Sequence, residues 1–476
     1  MIRLLWIALV CAVFPGIVSA ASEAQEDKLP DGVRGSLCIV HADNKLVMVK
    51  EIFSRKLSLP GGTISKGEDP RLTAQRETWE EAGLIVEPVR KLGFTDTAVV
   101  YECVPQSKVV AFTNREALKG KSMPAWFAPH FGIEVRYVMA VETPLVNPDE
   151  YRYPEQWPAI IQWVHETQSY PIEYVDNLID QSNSWQRVEF LILSASLTLS
   201  EKYTLLKALL GGIVVLSNLI LSPVALGISL IIAGWKGGVQ LTQKLLFIQL
   251  ITVLMAVVAK FGFALPAPGQ FLGLVSEQNI GLSFPSVRAA LLSATATFLF
   301  YLVSVNRVNL YLSVVVMTLA CLGMFLRYQV FITDIVFGAL LGSLITRHFF
   351  KLAVQQNTQL AKITQTKTAW SVLTLCATIF ASKWYATSLL QVAAVSAMVL
   401  LLMLVFRNRP LAKAKINPVL SLFAIVVGYF LSEYLHQLVS SHALLALMVE
   451  IVYMPLILTL IYIPSLIALK VKNRSA

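Results

Sequence analysis

Apolar and polar positions divide the chain into two unlike halves. Up to about residue 206, short apolar runs alternate with polar, charged stretches, as in a soluble domain built on strands. Residues 33–40 and 45–50 are β-prone runs joined through Asp43-Asn44, a turn signal. Residues 98–101, 109–113 and 134–141 are further apolar, β-branched runs that complete a mixed sheet. A helix is predicted to open at Pro70, whose missing N–H costs nothing in a first turn, with Asp69 as its N-cap.

Beyond residue 207 the pattern changes to apolar stretches of about 20 residues, long enough to span a bilayer. Nine are expected, at 209–233, 245–265, 286–304, 309–326, 331–347, 369–386, 388–406, 417–435 and 443–467. The segment 166–206 is read as a linker. It is polar up to Gln186 and then carries a short apolar stretch at 190–199, too short to span and suited to an interfacial helix. At the start, Arg3 in a positive n-region, an apolar core at 4–18 and the small-residue run Val18-Ser19-Ala20 read as a secretory signal peptide. The expected organisation is a signal peptide at 1–20, an exported domain at 21–165, the linker, and membrane segments at 207–350 and 351–476.

Charge supports this division. Of 30 acidic residues only Glu277, Asp334, Glu433 and Glu450 follow position 207. The basic residues beyond that point gather in the loops after the odd-numbered spans and in the C-terminal tail, among them Lys236, Lys244, Arg307, Arg347, Lys351, Arg407, Arg409, Lys413, Lys415 and Arg474. That is the positive-inside bias of a chain whose soluble domain faces outward. The net charge of +9 is therefore a topology signal, and no nucleic-acid partner is expected. The implied location is the plasma membrane, a bacterial inner membrane, with the soluble domain on the exported, periplasmic side.

The chemistry concentrates in Glu77, Glu80 and Glu81, at i, i+3 and i+4. On a helix these share one face, about 5–6 Å apart, and repel unless a cation neutralises them. Oxygen ligands at that density suit a hard divalent ion such as Mg2+, with Mn2+ as an alternative. The plainer reading is a solvated acidic helix face. The spacing Gly62, five residues, Glu68, seven residues, Arg76-Glu77, then Glu80-Glu81-x-Gly83-Leu84 resembles the Nudix box at every fixed position.

The resemblance covers about residues 31–165. It implies an α+β, mixed-sheet Nudix sandwich that cleaves diphosphates linked to another moiety. Glu77, Glu80 and Glu81 would hold the metal against the diphosphate, and Arg76 would pair with a carboxylate of the same helix. Gly62 and Glu68 are counted with the substrate-binding residues. Glycines at 61, 62 and 83 allow turns around the helix.

A second resemblance lies in the all-α, polytopic membrane half. Ser283-Phe284-Pro285-Ser286-Val287-Arg288-Ala289-Ala290 resembles the second motif of the type 2 phosphatidic acid phosphatases, usually Ser-Phe-Pro-Ser-Gly-His-Ala-Ala. Lys260 with Ala267-Pro268 resembles the first motif, and Asp334 to Gly338 the tail of the third. Lys260, Arg288, Arg327 and Asp334 are the expected anion-binding group on the exported face. The motifs depart from the family at decisive places. Arg288 replaces one histidine, Val330 stands where the nucleophilic histidine belongs, and Met324 where an arginine belongs. Phosphatase turnover by the family route needs both histidines, so the expectation is a retained fold without it.

Cys38 and Cys103 fall in the exported domain, where oxidation is possible; two buried thiols on separate strands is the reading adopted, a disulfide the alternative. The expected function is a membrane-tethered, magnesium-dependent pyrophosphohydrolase acting on a nucleoside diphosphate or lipid-linked diphosphate. The competing readings are a bifunctional enzyme that also dephosphorylates lipid phosphates, and a non-catalytic ligand-binding or transport protein.

Overall fold

The computed structural model describes residues 29–113, 120–274, 281–302, 307–355, 360–405 and 417–472. The signal peptide expected at 1–20 lies outside the described residues, as do Glu277, Arg407, Arg409, Lys413, Lys415 and Arg474.

The first half is a mixed α/β unit. Its elements are β1 (Gly35–Ile39), β2 (His41–Ala42), β3 (Lys45–Glu51), β4 (Leu57–Ser58), β5 (Gly61–Thr63), α1 (Pro70–Ala82), β6 (Val86–Phe94), β7 (Ala98–Pro105), β8 (Val109–Phe112), β9 (Gly120–Met123), β10 (Val135–Val141), α2 (Trp157–Glu166) and β11 (Ile172–Val175). One sheet runs β5-β1-β7-β6, with β1 and β7 parallel and the other pairs antiparallel. The second runs β2-β3-β10-β9 with β4 beside β3, antiparallel throughout. Asp43 and Asn44 both take positive φ, the twist a two-residue hairpin needs, and they join β2 to β3.

Strands β1, β3 and β10 are buried on both faces. Cys38, Val47, Val49, Val138 and Ala140 enter the core shared with Ala74 and Ala82 of α1. Their neighbours Ile39, Leu46, Met48, Tyr137 and Met139 enter a second core with Trp157, Ile160 and Val164 of α2. This explains why the strands read as continuous apolar runs. Cys38 and Cys103 form a disulfide between β1 and β7, which corrects the expectation of two free thiols. The strands are neighbours in one sheet, and their Cα atoms lie 5.6 Å apart, within bridging range.

The second half is helical: α3 (Ser184–Lys202), α4 (Thr204–Ile220), α5 (Pro223–Phe263), α6 (Val287–Leu302), α7 (Arg307–Leu326), α8 (Ile332–Gln355), α9 (Lys367–Trp384), α10 (Thr387–Val405), α11 (Pro418–Leu438) and α12 (Ala443–Lys472). Four stretches are long and apolar enough to cross a membrane: Val224–Phe263, Ile332–Leu352, Thr387–Val405 and Pro418–Leu438. Shorter apolar helices occur at Thr204–Ile220, Val287–Tyr301, Leu310–Leu326 and Leu444–Leu460. Nine spans are thus not established among the described residues.

Two expectations change here. The stretch 209–233 is not one helix, because the chain breaks at Leu221-Ser222 and Ser222 caps α5 through the Ala225 N–H. Helix α5 then turns at Gly238, whose φ of 72° is non-helical, and Gln249 reaches back to Ser229. The linker contains a full helix, α3, closed at its start by a reciprocal capping box between Asn183 and Gln186.

The halves touch closely. The Ser122 hydroxyl donates to the Gly273 carbonyl (2.7 Å), the Leu178 N–H donates to the Phe271 carbonyl (2.7 Å), and Arg55 pairs with Glu433 (2.9 Å).

Candidate active site

Helix α1 positions the acidic groups. The Asp69 side chain accepts from the Arg71 N–H, Pro70 opens the helix, and Gly83 closes it in the left-handed conformation. Between these caps, Arg76 becomes the hub. Its guanidinium meets Glu68 through two contacts (2.9 and 3.2 Å), Glu77 at 2.9 Å and Glu80 at 2.7 Å. Pairing within the helix is therefore joined by pairing to Glu68 in the preceding loop. The Arg76 hydrogen bonds hold the Glu68 carboxyl down at a pKa of about 2, and Glu68 in return raises that of Arg76.

Glu77 and Glu81 are buried. Burial raises the pKa of Glu77 against the opposing charge of Arg76. It raises that of Glu81 well above the ordinary value, opposed by the Gly61 N–H that donates to Glu81 Oε2 at 2.9 Å. Gly62 is required by space: a Cβ there would lie 2.4 Å from the Glu77 carboxyl carbon.

The structure brings Glu77 and Glu80 together with a residue the sequence reading missed, His130. One ligand atom from each lies within 4.8 Å of the others. Glu81 stands outside this trio, turned toward Gly61. His130 is fixed by its backbone N–H, which donates to the Glu80 carbonyl (2.8 Å), and its Nε2 is 3.8 Å from Glu80 Oε2. Its Nδ1 is buried without a hydrogen bond and lies 3.6 Å from Glu134. No periodicity marks a lone histidine in a loop 50 residues from Glu80, so only folding reveals it.

This donor set fits a divalent ion. Two carboxylate oxygens suit Mg2+ or Mn2+, and the imidazole nitrogen with a carboxylate behind it is a common metal-ligand arrangement.

The second expected group is tied to protein partners. Lys260 Nζ donates to the Leu282 carbonyl (3.2 Å), Arg288 to Gln329 Oε1 (3.2 Å), and Arg327 to Asn218. Asp334 Oδ2 accepts from the Phe331 N–H (2.7 Å) at the start of α8. Lys260 stays within electrostatic reach of Asp334 and Arg288. Met324 and Val330 are buried in an apolar cluster with Leu193, Ala289 and Ile335.

Residues 33–158 match the NUDIX domain family. Among solved structures, the chain is similar to an ADP-ribose pyrophosphatase from Streptococcus suis 89-1591, at 16% identity and a TM-score of 0.22, over 29% of this chain and 97% of that one. It is also similar to a NUDIX hydrolase from Nitrosomonas europaea, at 17% identity and a TM-score of 0.21, over 30% of this chain and 78% of the other. No curated protein matches it. The NUDIX match supports a hydrolase acting on pyrophosphate bonds.

Proposed function

We propose that the chain is a membrane-tethered pyrophosphohydrolase that depends on a divalent metal and cleaves a P–O–P linkage on the exported face. The observation that carries this reading is the convergence of Glu77, Glu80 and His130 beside Arg76 and beneath Gly61-Gly62. Glu77, Glu80 and His130 would hold Mg2+ or Mn2+. When bound, such an ion neutralises diphosphate charge and lowers the pKa of a coordinated water.

The chain's own groups do the rest. Arg76 offsets the repulsion among three carboxylates and fixes Glu80 and Glu68. Glu134, 3.6 Å from His130 Nδ1, adds negative charge behind that ring. Glu81, buried and held by the Gly61 N–H, is the group suited to accept a proton beside the reacting phosphorus. The water oxygen bonds to one phosphorus, the bridging P–O bond breaks, and the departing phosphate keeps the bridging oxygen.

The helical half serves as anchor. Its likeness to lipid phosphatases is read as a retained fold without turnover, because Met324 and Val330 are buried apolar residues where catalytic side chains would stand. The basic loops support the outward orientation.

The test uses full-length protein in detergent with ADP-ribose, a nucleotide sugar and an isoprenyl diphosphate, with and without Mg2+ or Mn2+. Metal-dependent hydrolysis of one or more of them is expected, reduced at least about a hundredfold in Glu80→Gln. Absence of hydrolysis across the panel in folded protein would sink the proposal.

A further inference from the structure

We infer that the diphosphate substrate carries a long apolar tail and reaches the site along the surface of the helical half. This rests on the pyrophosphohydrolase reading above and goes beyond it by naming the substrate class.

The loop that supplies His130 is itself seated on the helical half. Phe131, the next residue, is buried, and its ring occupies the place a Cβ would take at Gly281. Trp126 packs on Phe271 with ring centroids 5.3 Å apart, and Phe271 in turn meets Phe190 of α3 at 5.8 Å. The metal-site loop and the start of the helical half therefore form one packed unit, and the trio of Glu77, Glu80 and His130 sits beside that junction.

An apolar strip joins the two. Trp79, next to Glu80 on α1, is 39% exposed, and its ring lies 6.2 Å from that of Phe127, which is 52% exposed. Phe127 lies 6.1 Å from Trp126, which leads to Phe271. Beyond Trp126, α3 buries Phe190 and Leu193 but leaves Trp185, Val188, Leu191 and Ile192 exposed. At spacings of three, six and seven these share the outer side of the helix.

Large rings left exposed beside a charged site mark a surface that something apolar covers. A nucleobase is the competing occupant. The Trp79 and Phe127 rings, tilted at 38° and already against each other, give no parallel slot for one. Past Phe127 the strip runs through Trp126 to Phe271, which is buried where the helical half begins. A tail laid across Phe127 and Trp126, its diphosphate at Glu77 and Glu80, uses the whole of it. Hydrolysis would then release the lipid monophosphate, which keeps the bridging oxygen, and phosphate, whose phosphorus gains the water oxygen.

The experiment measures kcat/KM of the full-length protein in mixed micelles for isopentenyl, geranyl and farnesyl diphosphate, with ADP-ribose alongside. A rise of about tenfold or more from the shortest to the longest tail is expected, because each buried methylene adds to binding. Phe127→Ser should shrink that ratio severalfold. A ratio that stays flat, or that Phe127→Ser leaves unchanged, overturns the tail inference, as does a clear preference for ADP-ribose; each leaves the hydrolase standing. Failure of the wild type on all four compounds removes the hydrolase reading and this inference with it.

Discussion

Arg76 shows how one side chain makes an acidic cluster compatible with folding. It binds Glu68, Glu77 and Glu80 at once, so carboxylates that would repel are held in place before any metal arrives. Because Glu68 titrates lower in the folded chain than its ordinary 4.5, its contribution to stability is present above that value and is lost as pH falls toward about 2. Thermal melts of Glu68→Gln should show a shallower loss of stability through that window than the wild type. Glu77 shifts the other way, through burial, and a metal must displace its proton. Divalent-ion affinity, followed by calorimetry, should therefore rise with pH above the ordinary carboxylate range; a flat profile would count against ligation by this group. Gly62→Ala places a methyl against the Glu77 carboxyl and should lower kcat about tenfold or more with little change in folding. The spacing of Glu77, Glu80, Glu81 and Arg76 was legible in the sequence because a helix fixes which positions share a face. His130 was not, because nothing local ties a loop residue to a helix 50 positions earlier.

At the scale of elements, caps and turns were the most readable features. Asp69-Pro70, Asp43-Asn44 and Gly83 all act through the backbone within a few residues of themselves. Two further signals of the same kind lie in the chain. Asn183 with Gln186 is a capping-box pair, and Ser222-Pro223 is a helix start inside a stretch that hydropathy alone runs together. Hydropathy averages over a break that costs only one or two residues. Helices α6 and α8 illustrate contact that no single segment predicts: a Cβ at Gly342 would lie 2.0 Å from the Ala290 carbonyl, and one at Gly338 would lie 2.4 Å from the Ser286 carbonyl. Small residues four apart let these helices meet. Gly342→Leu should cost about 1–3 kcal/mol, read as a lower thermal midpoint in detergent. Gly211→Leu, where nothing lies within 4 Å, is the control expected to change little.

The whole molecule joins a soluble α/β unit to a helical half through aromatic packing and the Arg55–Glu433 pair. Its sidedness bears on the Cys38–Cys103 disulfide, since such bonds persist outside the reducing cytosol. Protein isolated under rapid alkylation should show both cysteines protected, and free thiols there would place the domain inside. Replacing both with serine should lower stability by about 2–4 kcal/mol, read as a lower melting point. The sequence by itself determined the start of α1, the turn between β2 and β3, the box of charged residues on α1, and the partition into polar and apolar halves. These depend on backbone preference, helical period and average hydropathy, all of which act over short stretches. Only tertiary structure decided that His130 joins Glu77 and Glu80 while Glu81 turns to Gly61, that Cys38 meets Cys103, and that the metal-site loop rests on the helical half. Those outcomes are set by how distant segments pack, where neighbours in space are strangers in sequence.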